Sequence, residues 1–214
     1  TSTPAVMAGV PVFLIRPRNL HDDGRILLHL HGGGYVLGQG EAGTQEAVLM
    51  AGIGKFNIIS VDYRMAPDFP YPAAIDDAMA VYRELLTRVP AERIGVFGTS
   101  TGGAMTLILA LREKAEGLPL PAALGAGTPW SELGKTGDSY FTNEEVDNVL
   151  VGYDGWLAGA ARIYSAGHDM SDPFLSPVNG DVRGFPPTML TSGTRDLFLS
   201  NIVSMHLKRR EEDV

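Results

Sequence analysis

The amino-acid sequence predicts an α/β fold: a mostly parallel, doubly wound sheet with helices on both faces, in a single domain over residues 1–214. Three observations carry the prediction. Short β-rich runs recur along the chain, they are continuously apolar rather than alternating, and helical patterns lie between several of them. A strand covered on both faces reads as an unbroken apolar run, which is the signature of a parallel sheet. Alternating strand and helix then implies right-handed crossovers.

Taken in order, strands are expected at residues 10–15, 25–30, 57–61, 93–97, 122–126 and 188–191, each bounded by Gly, Pro or Asp. The first strand is placed at about Val10. Helices are expected at 42–53, 73–88 and 101–116, the last closed by Gly117 and Pro119. Residues 138–165, DSYFTNEEVDNVLVGYDGWLAGAARIYS, put helix-like pieces where a single crossover would suffice. They are read as an insertion over one end of the sheet, where such excursions often cover a site. No internal repeat, low-complexity tract or linker interrupts the pattern.

Composition narrows the chemistry. At 214 residues and 44% hydrophobic content the chain can bury one sizeable core. Its formal charge of -8 repels polyanions overall, and the one basic cluster is Lys208, Arg209 and Arg210, so nucleic acid is not an expected partner. Without cysteine there is no disulfide, thiolate nucleophile or thiolate metal site, and the expected location is cytoplasmic. The longest apolar runs, such as 104-AMTLILAL-111, fall far short of a membrane span. No metal or cofactor is expected. Chemistry is left to Ser, His and carboxylates.

Three stretches could supply it. Gly98-Thr99-Ser100-Thr101-Gly102 matches G-x-S-x-G, with an apolar strand before it and a helix behind it. Such a turn must reverse sharply, which keeps the positions two before and two after the serine small, and it places Ser100 at a helix N-terminus that favours negative charge. Ser100 is therefore a candidate nucleophile, against the alternative of a glycine-rich packing turn. In 26-ILLHLHGGGYVLG-38, three glycines follow a strand and let backbone N–H groups approach a ligand. The stretch lacks the Gly-Lys-Ser ending of a P-loop and the spacing of a dinucleotide site, so beside Ser100 it reads as an oxyanion loop. In 188-TMLTSGTRDLFLSN-201, Asp196 follows a strand on the same sheet edge as Ser100 and is placed to orient a histidine; the bland alternative is a solvated or capping aspartate.

Together these residues resemble the hormone-sensitive-lipase-like branch of the α/β-hydrolases, serine carboxylesterases that often act on short-chain esters. The resemblance spans almost the whole chain: His31-Gly32-Gly33-Gly34-Tyr35, 62-DYRMAPDFPYPAAIDDA-78, the elbow from Gly98 to Gly103, 172-DPFLSP-177 and Asp196. Thr99 is similar to the Gly-Thr-Ser subgroup. The resemblance implies the α/β-hydrolase fold with a partial helical cap at 138–165, Ser100 as nucleophile and Asp196 as triad acid. It further implies an oxyanion hole from the N–H groups of Gly33, Gly34 and Thr101, His31 as a support for the loop, and a small-molecule ester as partner. A homodimer of the full-length protein is also compatible with it. The competing expectation is a non-catalytic small-molecule binder on the same fold.

The base is the missing part. His21 lies in a turn, His29 in the strand before the glycines, His31 in the loop itself and His168 at the exit of the insertion. His206 comes 10 residues after Asp196, some 15 Å along a helix at ~1.5 Å per residue, too far to touch both Ser100 and Asp196. Both ends of the chain look cut. The resemblance places an N-terminal cap before residue 1, and a last strand and the catalytic histidine beyond residue 214.

Overall fold

The structure, a computed structural model, describes residues 1–20 and 23–212. Among them seven strands form one sheet: β1 (Ser2–Met7), β2 (Val10–Ile15), β3 (Ile26–Leu30), β4 (Asn57–Val61), β5 (Ile94–Thr99), β6 (Ala123–Gly127) and β7 (Thr188–Thr191). Their order is β1-β2-β4-β3-β5-β6-β7. The five strands from β3 to β7 pair in parallel, while β2 runs antiparallel to β4 and β1 antiparallel to β2.

The six expected strands are present, but the first strand is β1, beginning at Ser2 rather than near Val10. β1 sits at the sheet edge, exposed over most of its length, so it needs no continuous apolar run, and an edge tolerates Pro4. It is held by its pairing with β2 through a tight turn at Ala8 and Gly9, both at positive φ.

The two faces of the sheet carry different cores. Alternate residues of a strand point to opposite sides. Ile58 and Phe97 pack with Ile15 and with Ala47 and Ala51 of α1 (Gln45–Gly54), forming a small core on one face. Ile59, Val61, Leu28, Leu30 and Val96 belong to the larger core, which takes in α2 (Ala73–Leu86) and α3 (Thr101–Glu116). The helix α3 is buried from Thr101 through Leu111 and packs on β5 and β6, so the element behind Ser100 is held on every side. Among the described residues no helix is long and apolar enough to cross a membrane.

Residues 138–165 are built from α4 (Ser139–Thr142), a kinked turn in which Asp154 and Gly155 leave helical geometry, and α5 (Ala158–Ser165). Side chains of this stretch tie it to the segment that follows β7. The Asp147 carboxylate accepts N–H bonds from Val149 (2.8 Å) and Leu150 (3.0 Å) within the insertion, and from Leu197 (2.9 Å) across to that segment. Asn143 donates through Nδ2 to the carbonyl of Asp196 at 2.8 Å. Beneath them Phe198 stacks on Trp130 and meets the edge of Tyr140, just ahead of α6 (Leu199–Glu211).

Two consequences for stability can be measured. Replacing Asp147 by Ala strands the buried N–H of Leu197 and the part-buried N–H groups of Val149 and Leu150, and Asp147→Ala is expected to cost about 1–3 kcal/mol in chemical denaturation. The second concerns Glu113 of α3, which is fully buried with neither carboxyl oxygen hydrogen-bonded, and burial pushes its pKa from 4.5 up to about 9. The unfolded chain releases this proton above about pH 4.5, whereas the folded chain holds it to about pH 9, so the group costs stability progressively as pH rises through that window. Glu113→Met should therefore gain on the unsubstituted protein by about 2–4 kcal/mol more at pH 9 than at pH 4, a difference that denaturation midpoints at the two pH values would reveal.

Candidate active site

Ser100 occupies the turn between β5 and α3 with φ 61° and ψ -122°, a conformation that costs a non-glycine residue of order 1–3 kcal/mol. Several bonds hold it there. Its N–H donates to the carbonyl of Gly127 at 2.9 Å, and its carbonyl accepts from the N–H groups of Ala104 (3.0 Å) and Trp130 (3.1 Å). Close approach accounts for the flanking glycines: a Cβ on Gly98 or Gly102 would collide with the carbonyl oxygen of Leu30. The turn leaves Ser100 at the N-cap of a 16-residue helix, where the helix dipole and free N–H groups favour negative charge, and Thr101 is the first residue of that helix.

The glycine loop after β3 runs directly beside this turn. A Cβ on Gly32 would lie 3.3 Å from Cβ of Ser100. Gly33, at φ 120°, accepts the N–H groups of Val36 (3.1 Å) and Leu37 (2.9 Å) at its carbonyl, closing the loop so tightly that a Cβ would strike the carbonyl of Leu37. Tyr35 anchors the far side of the loop by stacking on Tyr164, ring centroids 3.6 Å apart. His31 braces the near side: its Nδ1 donates to the carbonyl of Gly32 at 2.7 Å, its ring stacks on Tyr63, and the Tyr63 hydroxyl donates to the carbonyl of His31 at 2.7 Å. Burial pushes the pKa of His31 down. The 62–78 stretch buttresses the same end, with Asp62 accepting the N–H of Gly40 (2.8 Å) and Arg64 forming a forked pair with Asp77.

Asp196 reaches the same place from β7. Its Oδ1 accepts the N–H of Phe198 at 2.8 Å and its Oδ2 accepts the Ser192 hydroxyl at 3.0 Å. Burial pushes its pKa up against the pull of these bonds. Ser100, Gly33, Gly34 and Asp196 line one cavity of about 970 Å³. Thr101 lies behind Ser100 and is not part of the cavity wall.

The cavity also has walls that were not singled out in the sequence. Leu37, Val149, Leu150 and Trp156 give it an apolar lining, and Trp156 stands 2.9 Å from where a Cβ on Gly34 would be. The apolar letters of 138–165 hinted at a cover, but nothing in their spacing separates a residue facing a cavity from one facing the core. Among the described residues no histidine lines the cavity. His29 is buried on the α1 face of the sheet, His31 braces the loop, and His168 is exposed beside Tyr71. His206 is exposed on α6, and His21 lies outside the described residues. No cluster of His, Asp and Glu able to hold a metal ion is found among the described residues.

A family model described as alpha/beta hydrolase fold matches residues 27–214. An acetyl-hydrolase from Streptomyces hygroscopicus is 34% identical over 181 residues, covering 84% of this chain and 60% of that protein. The crystal structure of an esterase superposes with a TM-score of 0.97 at 43% identity, over 100% of this chain and 66% of the other. An esterase from the bacterial hormone-sensitive lipase family superposes with a TM-score of 0.91 at 29% identity, over 100% of this chain and 71% of the other. The chain spans about three fifths of the length of the curated relatives it matches. The elbow, the glycine loop and the matched sequence agree: the chain belongs to the alpha/beta hydrolase fold family, in its hormone-sensitive-lipase-like branch.

Proposed function

We propose that the protein is a carboxylic ester hydrolase acting on short-chain acyl esters, with Ser100 as the nucleophile. The observation that carries this reading is the strained Ser100 turn set beside the glycine loop in one cavity that also receives Asp196. The small acyl group follows from the acetyl-hydrolase relative, and the apolar walls suit an ester that carries no charge.

In this mechanism a histidine outside the described residues, oriented by Asp196, takes the Ser100 proton as Oγ attacks the acyl carbon. The oxyanion is held by the N–H groups of Gly33, Gly34 and Thr101, donors that need no reorganisation as charge develops. The same imidazolium returns its proton to the alkoxide as the ester C–O bond breaks. Water then attacks the acyl-enzyme by the reverse path, releasing the acid and restoring the hydroxyl. The raised pKa of Asp196 fits a carboxylate buried for orientation rather than solvated.

The full-length protein should hydrolyse a chromogenic short-chain ester, and Ser100→Ala should lower kcat by at least ~10³-fold, the oxyanion donors and binding alone supplying what is left. Equal turnover by the two proteins would replace the esterase reading with that of a non-catalytic binder on the same fold.

A further inference from the structure

On the α1 face of the sheet a chain of polar groups, buried at His29 and Ser60 and partly exposed at Glu46, leads to the residue just before Ser100. The Thr99 hydroxyl donates to Oε1 of Glu46 at 2.6 Å. The other carboxylate oxygen of Glu46 faces Nε2 of His29 at 3.2 Å, and Nδ1 of His29 lies 2.8 Å from the Ser60 hydroxyl. A carboxylate can only accept, so both Thr99 and His29 Nε2–H are donors to Glu46. The four residues come from β5, α1, β3 and β4, and His29 and Ser60 are direct neighbours across the strands. His29 and Ser60 are buried, and the His29 ring also packs against Phe97 at 4.9 Å. Burial raises the carboxyl of Glu46, but the hydrogen bonds from His29 and Thr99 outweigh it and hold the group below its ordinary pKa.

None of these contacts touches the His31–Tyr63 brace or the segment bearing Asp196, and Glu46, though partly open to water, turns both carboxylate oxygens to donors from the sheet, a fully buried histidine and Thr99. Its one exit toward the cavity is Thr99. That residue is confined: a Cβ on Gly32 would come within 2.8 Å of its carbonyl oxygen, and one on Gly127 within 2.8 Å of its hydroxyl. A shift of Thr99 would therefore move the strained Ser100 backbone and the glycine loop relative to each other.

We propose that Glu46, braced by His29 and Ser60, is a positioning residue for the nucleophile turn, acting through the Thr99 hydroxyl to hold Ser100 in register with the glycine loop. This rests on the reading of Ser100 as nucleophile. A hydroxyl at position 99 is then required for geometry, although it contacts no reacting atom.

The test uses the full-length protein, measuring steady-state hydrolysis of a chromogenic short-chain ester and the rate of covalent labelling by a fluorophosphonate. Thr99→Val and Glu46→Ala should each lower kcat about 10- to 100-fold with KM within about twofold, and slow labelling in parallel, as expected when a reacting group is misplaced without loss of binding. Thr99→Ser and Glu46→Gln, which keep the donor and the acceptor, should recover most of the loss. The double variant Thr99→Val/Glu46→Ala should be no worse than the poorer single one, because both break the same link. Losses that multiply, a KM rise that accounts for the effect, or a Thr99→Val protein as active as the unsubstituted one would each overturn the proposal. Should Glu46→Ala fail to fold, the Val and Ser substitutions at Thr99, which leave the Glu46–His29 contact in place, decide the matter. If the unsubstituted protein is neither active nor labelled, it is the assignment of Ser100 that falls, and this inference with it.

Discussion

The backbone of Ser100 is the constraint to which the rest of the molecule is fitted. A left-handed serine at the end of a buried strand cannot exist alone; its neighbours must over-determine it. Here β6 accepts its N–H, α3 and the chain at Trp130 bond its carbonyl, and β3 passes so close that only glycine fits at positions 98 and 102. Each of those contacts depends on the parallel register of β3, β5 and β6, which stacks their carboxyl ends at one edge. The sheet is thus a device for tolerating one strained residue. The larger core, which encloses α3 almost all round, supplies the rigidity.

Around that centre the structure uses two kinds of polar brace. One starts from the stretch that follows β4, where Arg64 forks onto the buried carboxylate of Asp77 and Asp62 reaches back to the N–H of Gly40. The other ties elements far apart in sequence, as buried Asp147 does from the insertion to Leu197, and partly exposed Glu46 does from α1 to Thr99. Buried acceptors of this kind give little net stability when satisfied but are expensive to break, so they define geometry more than they add energy. Glu113 shows the converse. With no partner in its apolar surroundings it sheds its charge instead, and the fold carries it as a neutral acid.

The insertion gives the cavity its character. Val149, Leu150 and Trp156 come from 138–165, a stretch whose regular structure amounts to two short helices and a kinked turn. Because Asp147 and Asn143 lie in the same stretch, the segment that forms the apolar wall also pins the loop bearing Asp196. The shape of the cavity and the placement of Asp196 are mechanically joined here, since a shift of one carries the other.

Much of this was legible in the letters. Apolar runs located β2 to β7, most plainly β4, which is buried from Ile58 through Val61 as cover on both faces demands, whereas β7 is part-exposed along its length; the Gly-x-Ser-x-Gly turn announced itself because steric exclusion leaves no other residue at its corners. Gly117, in the left-handed conformation at the end of α3, marked that boundary for the same local reason. What was not legible depended on partners distant in sequence. β1 is a strand only because β2 pairs with it, and its exposed, proline-bearing stretch has no apolar signature. Nothing in the sequence ties Glu46 to Thr99, 53 positions away; only folding brings the two together. Sequence by itself determined the class of fold and the identity of the residues that local sterics compel. Which side chains meet across the sheet and which wall faces the cavity were decided by tertiary structure alone, because those contacts are set by strand order and register, which no short window of sequence encodes.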